Sequence, residues 1–298
     1  MFNFLKKKNN LIEVTHGLYP SPPDSRDYLL SSVMPNILRF PETCPPPFDL
    51  TILNQQQYPA CVGFTCAAIK QEKELRERNS KVFDGLWIYN ECKKIDGMPS
   101  IAGTFFRIGL KVLKDIGAKT GTEDPSIYRI AEYRQVDDMS FEGLKKAVFV
   151  YGAILAGFKM SNEGWRGEII RAPRTGETIY EHAISIIGYE KNYLIGQNSW
   201  GENYHNKGLF KIPQDYLPFE AWCVILDKVN EIKEEIKTGW VARVFLDANN
   251  RTTANLNIRA GAGTGYPIIG LLQKGTQVKL YSSANVSANG YWWAEIII

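Results

Sequence analysis

The sequence contains few cysteines and histidines, the residues that form disulfides and bind zinc. Its 298 residues include three histidines and five cysteines, which are Cys44, Cys61, Cys66, Cys92 and Cys223. The cysteines are odd in number, scattered and without a Cys-x-x-Cys pair, which argues against a disulfide framework and a structural zinc site. A His-Glu-x-x-His motif is also missing. We therefore expect neither a bound metal nor a cofactor.

Long apolar stretches are absent as well. No run approaches the roughly 18 apolar residues of a membrane-spanning helix, so we expect no membrane span. The first residues, MFNFLKKKNNLIEV, include lysines, but the apolar segment of a secretion signal does not follow them. The expected location is therefore the cytoplasm, or the surroundings after release by lysis or with a virus particle.

A strong excess of one charge is missing too. The formal net charge is +3, and no basic segment is interleaved with aromatic residues. This pattern does not favour nucleic acid as a partner. The composition, with 44% hydrophobic and 22% charged residues, is that of a folded globular protein.

The pattern along the chain begins with an irregular segment followed by helices. Residues 1–47 are rich in proline and turn formers, and we expect an arm on the surface of a larger domain. A helix is expected from Cys61, with small apolar residues up to Lys70 and then a charged, exposed end, QEKELRERN. A second helix is expected from Thr104 to Ala118.

Strand patterns dominate the second half of the chain. Residues 148–158, 182–190 and 193–197 are β-rich runs separated by turn signals. Helices first and strands second predict an α+β domain of two lobes over residues 48–226. Residues 227–238 are charged and predict a linker. Short alternating strands over residues 239–298 predict a small all-β barrel.

Cys61 and His182 have the surroundings of a nucleophile and its base. Cys61 opens the first expected helix, whose amide end stabilises a thiolate. His182 starts an apolar strand, and Asn198 follows one hairpin later, where its amide oxygen can orient an imidazole. Taken alone, such a Cys or His is more often a buried core residue, and Asn198 to Gly201 could form an ordinary turn. The combination favours a thiol active site.

The chain order Gln55, Cys61, His182, Asn198 resembles that of papain-like cysteine peptidases. The resemblance implies a Cys61 nucleophile, a His182 base oriented by Asn198, and an oxyanion donor at Gln55, six residues before the cysteine. Gln56 and Gln57 adjoin Gln55, so a plain polar loop remains the alternative there.

The same resemblance implies two substrate-side residues and shows two departures. Trp200 would shield the contact between histidine and asparagine, and Gly103 would let an extended substrate backbone approach. The upstream cysteine of the family is Tyr58 here, and Val62 replaces its usual aromatic residue. The stretch before Asp49 is too short for the family's helical inhibitory segment, so we expect activity to be restrained by location or by the arm itself.

The last 60 residues resemble bacterial SH3-type (SH3b) modules. The resemblance rests on Leu256 to Gly261 (LNIRAG), Gly270 to Gly275 (GLLQKG) and Tyr291 to Ile296 (YWWAEI). The closing Gly-Trp-Val strand of such modules does not follow, and a Gly239-Trp240-Val241 lies before the module instead. Either that segment supplies the strand or the module is atypical. The resemblance implies binding to bacterial cell-wall peptide or glycan, with a general protein-contact barrel as the alternative.

These patterns together predict a thiol endopeptidase that acts on protein or peptide and is tethered to a bacterial surface. Two alternatives remain. The first is a hydrolase of peptidoglycan stem peptides, and the second is a non-catalytic structural or virion-associated protein that keeps the peptidase fold. Phe158 and Tyr180 are candidates for walls of the substrate pocket.

Overall fold

The computed structural model describes residues 17–35, 40–47, 49–77, 79–225, 238–259, 261–265 and 268–297. The chain divides into two compact units, Met1–Val229 and Asn230–Ile298. The linker expected over residues 227–238 lies outside the described residues, except for Thr238. Among the described residues, no helix has the length and apolar character needed to cross a membrane.

The first unit consists of a helical part and a β part, as the sequence predicts. Its helices are α1 (Cys61–Arg76), α2 (Gly85–Ile95), α3 (Phe106–Asp115) and α4 (Phe141–Tyr151), with short 3-10 turns at Leu30–Ser32 and Pro125–Tyr128. Its strands are β1 (Leu18–Tyr19), β2 (Thr104–Phe105), β3 (Glu132–Gln135), β4 (Ile154–Met160), β5 (Tyr180–Glu190), β6 (Tyr193–Gln197), β7 (Leu209–Pro213) and β8 (Glu220–Ile225). Six of these strands form one antiparallel sheet in the order β3-β8-β4-β5-β6-β7.

Helix α1 packs against strand β5, and this contact brings the two parts of the unit together. One apolar core combines α1, α2 and α3 with residues of β4, β5 and β8. A second core lies between α4 and the other face of the sheet. The Cα of Gly63 in α1 lies so close to α2 that an added Cβ would be 2.3 Å from the carbonyl oxygen of Gly85. The first turn of α1 is therefore fixed closely between its neighbours.

The expected exposed end of α1 is wrong in its first part. Lys70 through Glu74 are all buried, and exposure begins only at Arg76 and Glu77. Burial is possible because the charges have partners, since Lys70 pairs with Glu74 at 2.6 Å and the amine of Lys73 binds the carbonyl oxygens of Tyr151 and Ala153. A charged helical stretch thus became part of the interior.

The β-rich run expected over residues 148–158 is wrong in its first part. Residues up to Tyr151 complete helix α4, which begins after Ser140, whose hydroxyl accepts a hydrogen bond from the Gly143 N–H at 3.0 Å. Gly152, with a φ of +80°, ends the helix, and β4 follows. The expected second helix starts two residues late, because Thr104 and Phe105 form a strand that pairs with β1.

The second unit is a curled five-stranded antiparallel sheet. Its strands are β9 (Thr238–Ala242), β10 (Leu256–Arg259), β11 (Ile268–Leu272), β12 (Lys279–Ala288) and β13 (Tyr291–Ile297), with a 3-10 turn at Arg243–Phe245. The order is β11-β10-β9-β13-β12. The Gly239-Trp240-Val241 segment lies in β9, between β10 and β13. The segment before the module therefore forms a strand of the same sheet.

Candidate active site

Cys61 is the first residue of α1. Ala60 precedes the helix and has no side chain that could cap it, so the first N–H groups remain available to the sulfur or to an anion. Burial raises the pKa of the Cys61 thiol, and backbone hydrogen bonds from Ala183 and Val62 to the sulfur act in the opposite direction. Ala183 adjoins His182 on β5, so the packing of α1 on β5 brings the thiol next to the backbone that carries the imidazole.

His182 and Asn198 are hydrogen-bonded across the β5–β6 hairpin. His182 Nε2 and Asn198 Oδ1 are 2.9 Å apart, and both residues are buried. The Trp200 ring centroid lies 5.0 Å from the imidazole, and the Trp165 ring meets the imidazole edge-on at 5.7 Å. The two indoles keep this hydrogen bond away from solvent, where it holds the imidazole in one orientation.

Gln55 lies in the loop before α1 and is held by Ser199. The Ser199 hydroxyl donates to Gln55 Oε1 at 2.6 Å, and the Gln55 N–H donates to the Ser199 carbonyl at 2.7 Å. The amide nitrogen of Gln55 donates to the carbonyl oxygen of Tyr58 at 3.0 Å. The loop before Cys61 and the turn after Asn198 are thereby joined.

The arm covers the thiol. A Cβ added to Gly17 would lie 2.5 Å from the Cys61 sulfur. The Gly17 carbonyl accepts a hydrogen bond from the Thr104 N–H at 3.2 Å, and β1 then pairs with β2 in parallel. Leu18 is fully buried and reaches the backbone of Gly157. The arm therefore occupies the space in front of the Cys61 sulfur.

Polar contacts hold the arm farther along. Arg107 of α3 forms a two-pronged ion pair with Asp27 of the arm, with Nε to Oδ1 at 2.8 Å. The Ser21 N–H donates to Glu220 Oε2 at 2.9 Å. The other Glu220 oxygen accepts from the Trp222 indole at 2.6 Å, and Arg107 lies over that indole at 5.7 Å. We call these five residues the latch.

Burial keeps both reactive groups neutral in this covered form. It raises the pKa of the Cys61 thiol to about 12 and lowers the pKa of His182 to about 4, although the hydrogen bond to Asn198 acts in the opposite direction on the imidazole. Within the described part of the chain, no hydrogen bond joins the thiol to the imidazole. At neutral pH the covered site therefore holds a thiol and a neutral imidazole.

Comparison with known proteins identifies the two units. Residues 112–230 match the papain family cysteine protease profile, and residues 254–297 match the bacterial SH3 domain. Xylellain, a cysteine protease from Xylella fastidiosa, superposes with a TM-score of 0.63 and 23% identity over 72% of this chain and 96% of its own. The chain carries a papain-family cysteine peptidase domain. A bacterial SH3 domain follows it.

Other relatives agree with the fold of the peptidase domain. The ragweed pollen allergen Amb a 11, a cysteine protease in its proform, has a TM-score of 0.51 at 16% identity over 65% of this chain and 68% of its own. An uncharacterized peptidase C1-like protein of Acanthamoeba polyphaga mimivirus is 23% identical over 83% of this chain and 95% of its own length. The family match includes His182 and Asn198 but begins after Gln55 and Cys61.

The remaining expected residues of the peptidase domain lie close to the arm or in the core. Gly103 has a φ of +83°, which favours glycine, and its N–H donates to the Tyr89 hydroxyl at 3.1 Å. Its neighbour Thr104 makes the backbone contact with the arm. Phe158 pairs with His182 across β4 and β5 but is fully buried against Trp165 and Tyr216, so it belongs to the core and not to a pocket wall. Tyr180 is partly buried at the start of β5.

Sequence reasoning missed three features of this candidate site. Trp165 lies outside any motif, and nothing in the sequence connects it to His182. Gly17 and Leu18 stand in the arm, where a Gly-Leu-Tyr in a proline-rich stretch gives no signal of contact with a thiol. Ser199 belongs to the Asn-Ser-Trp-Gly motif, but its hydrogen bond to Gln55 joins residues far apart in sequence and is evident only in the structure.

Proposed function

We propose that the chain is a thiol endopeptidase that hydrolyses peptide bonds through Cys61, His182 and Asn198. The observation that carries the proposal is the 2.9 Å pair of His182 Nε2 and Asn198 Oδ1 beside a helix that begins with Cys61. Since Nε2 is engaged by the amide, the other ring nitrogen, Nδ1, is the one that remains to exchange a proton with the thiol.

Chemistry begins when the arm leaves the thiol. Water then reaches the site, and the pKa of Cys61 falls while that of His182 rises, because burial causes both shifts. The thiol gives its proton to His182 Nδ1, and the thiolate attacks the substrate carbonyl. The developing oxyanion is bound by the Cys61 N–H and the Gln55 amide. His182 gives its proton to the leaving amine, and a water molecule then hydrolyses the thioester.

The segment that now pairs with the arm supplies the substrate's backbone contact. The Thr104 N–H is released when Gly17 departs, and Gly103 gives the turn that lets an extended chain lie there. Trp200 shields the His182–Asn198 pair throughout. The arm therefore restrains the enzyme by occupying the place of a substrate.

The SH3 domain acts as the tether, in our proposal, and binds peptide or glycan at a bacterial surface. Its support is a face on which Val244, Tyr291 and Trp292 are 65%, 44% and 61% exposed, beside Arg243. Exposed aromatic rings next to a cation are common where a protein binds a partner. The boundaries that we propose are 1–47 for the arm, 48–226 for the peptidase, 227–238 for the linker and 239–298 for the SH3 domain.

One assay separates this proposal from its alternatives. The full chain and Cys61→Ala are incubated with casein and, separately, with purified bacterial wall. We expect the parent to release casein peptides and Cys61→Ala to release none. Release of stem peptides from wall with casein intact would show a peptidoglycan hydrolase instead. No release by the parent and by an arm-loosened variant, Arg107→Gln, would leave a structural protein with this fold.

A further inference from the structure

Ser199 contacts both amide side chains of the site. Its hydroxyl donates to Gln55 Oε1 at 2.6 Å and its carbonyl accepts the Gln55 N–H at 2.7 Å. Its own N–H donates to Asn198 Oδ1 at 2.9 Å, the same oxygen that meets His182 Nε2. A single residue thus connects the loop that holds Gln55 with the hydrogen bond that orients the imidazole.

The hydroxyl of Ser199 determines which end of the Gln55 amide is available as a donor. The two ends of a glutamine amide have nearly the same shape, and only their hydrogen bonds fix the orientation. A hydroxyl bonded to Oε1 leaves the nitrogen directed to the Tyr58 carbonyl, where it donates at 3.0 Å. The reverse orientation would set two oxygens, Oε1 and the Tyr58 carbonyl, against each other.

Water does not substitute for this contact easily. Gln55 and Ser199 are only 6% and 7% exposed. If the hydroxyl is removed, Oε1 loses its side-chain donor in a buried place, and the amide gains freedom to turn. The nitrogen would then point at the oxyanion position for only part of the time.

We propose that Ser199 is a positioning residue that holds the Gln55 amide with its N–H₂ toward the oxyanion. The amide nitrogen carries two hydrogens. One donates to the Tyr58 carbonyl, and the second serves the oxyanion during the reaction while Oε1 stays on Ser199. This inference rests on the proposed function, because it assigns Ser199 a role only through Gln55.

The test is a double-mutant cycle in the full chain with casein-derived peptide as substrate. Ser199→Ala should lower kcat about tenfold, the loss expected for one buried hydrogen bond, with KM nearly unchanged. In a Gln55→Ala background the same change should alter kcat by less than about twofold, since the group that it positions is gone. Ser199→Thr keeps the hydroxyl and should retain most of the activity. Alkylation of Cys61 forms no oxyanion, and its rate should stay at the parent value.

Ser185→Ala is the matched control. Ser185 is equally buried, lies on β5 three residues after His182, and its hydroxyl has no partner in the described part of the chain. Its removal should leave kcat unchanged. An unchanged kcat in Ser199→Ala, or an equal loss in the Gln55→Ala background, would overturn the positioning role while leaving the peptidase intact. A Gln55→Ala variant with full activity would instead overturn the proposed oxyanion donor itself.

Discussion

Gly17 lies directly over Cys61, so close that a methyl group in place of its hydrogen would be 2.5 Å from the sulfur. Real Cβ atoms do not approach other heavy atoms this closely, and the same methyl group would also be only 3.3 Å from the Pro59 carbonyl carbon. The contact therefore depends on glycine. It makes the reactivity of the thiol a measure of how often the arm is displaced.

Gly17→Ala should loosen the arm and expose the thiol. Overpacking of this kind costs about 1–3 kcal/mol, which corresponds to a roughly 5- to 160-fold rise in the open population. Brief labelling with iodoacetamide and peptide mass mapping would measure the rate at Cys61. Gly265→Ala, where an added Cβ meets nothing, is the control. Labelling at Cys66 or Cys92 that equals labelling at Cys61 would contradict a special role for this cysteine.

Arg107→Gln should also accelerate labelling of Cys61 by opening the latch. The variant removes the partly buried, bidentate ion pair between Arg107 and Asp27. We expect the labelling rate of Cys61 to rise about fivefold. Lys111→Gln breaks the exposed Lys111–Asp115 pair on the same helix and should have no effect. If both variants label at the parent rate, the polar contacts do not hold the arm.

The neutral, buried imidazole of His182 should make the folded protein less stable in acid. Its pKa is lowered from 6.5 to about 4, so between these values the unfolded chain binds a proton that the folded chain does not. The contribution of about 3 kcal/mol is complete above pH 6.5 and is lost as the pH falls toward 4. The thermal midpoint should therefore fall across this window.

The same measurement on His182→Gln identifies the group responsible. This variant has no imidazole to titrate at that position and should show a shallower fall. The pKa of His205 is lowered by burial as well, so His205→Gln measures its smaller share. An identical slope in the parent and in His182→Gln would mean that another group governs the acid sensitivity.

Gln55→Ala should lower kcat by roughly 100-fold and leave KM almost unchanged, since an oxyanion donor acts mainly in the transition state. Steady-state hydrolysis of a soluble peptide would measure both constants. Gln56→Ala and Gln57→Ala change exposed neighbours and should stay within a few-fold of the parent. A large loss in Gln56→Ala with Gln55→Ala intact would show that the oxyanion site has been assigned to the wrong residue.

A chain that ends near Asp227 should fold and cleave soluble peptides as the full chain does. The expectation comes from the charged 227–238 segment and the two compact units. Residues 239–298 alone should sediment with bacterial wall. An insoluble or inactive peptidase fragment would argue against a separable tether.

The sequence predicted the local structure of the candidate site better than the long-range contacts around it. Cys61 at a helix start, and His182 separated from Asn198 by one hairpin, follow from local patterns that tertiary structure did not override. The contact of Gly17 with Cys61 joins two segments that no local pattern relates. The spacing of charges in α1 predicted a solvent-exposed surface. This prediction failed at Lys73 because the carbonyl oxygens that bind its amine lie 78 and 80 residues away in sequence.

Those carbonyls have a mechanical consequence. The buried amine of Lys73 joins the far end of the helix that carries Cys61 to the junction between α4 and β4. Pulling the two apart would leave two carbonyl oxygens without partners away from water, and the ammonium group with only the Glu72 carboxylate at 3.1 Å. The helix that begins with Cys61 is therefore fixed firmly to the α4–β4 junction. If the arm restrains the enzyme as proposed, a substrate is admitted when the two-residue strand Leu18–Tyr19 detaches from β2, without separation of α1 from this junction.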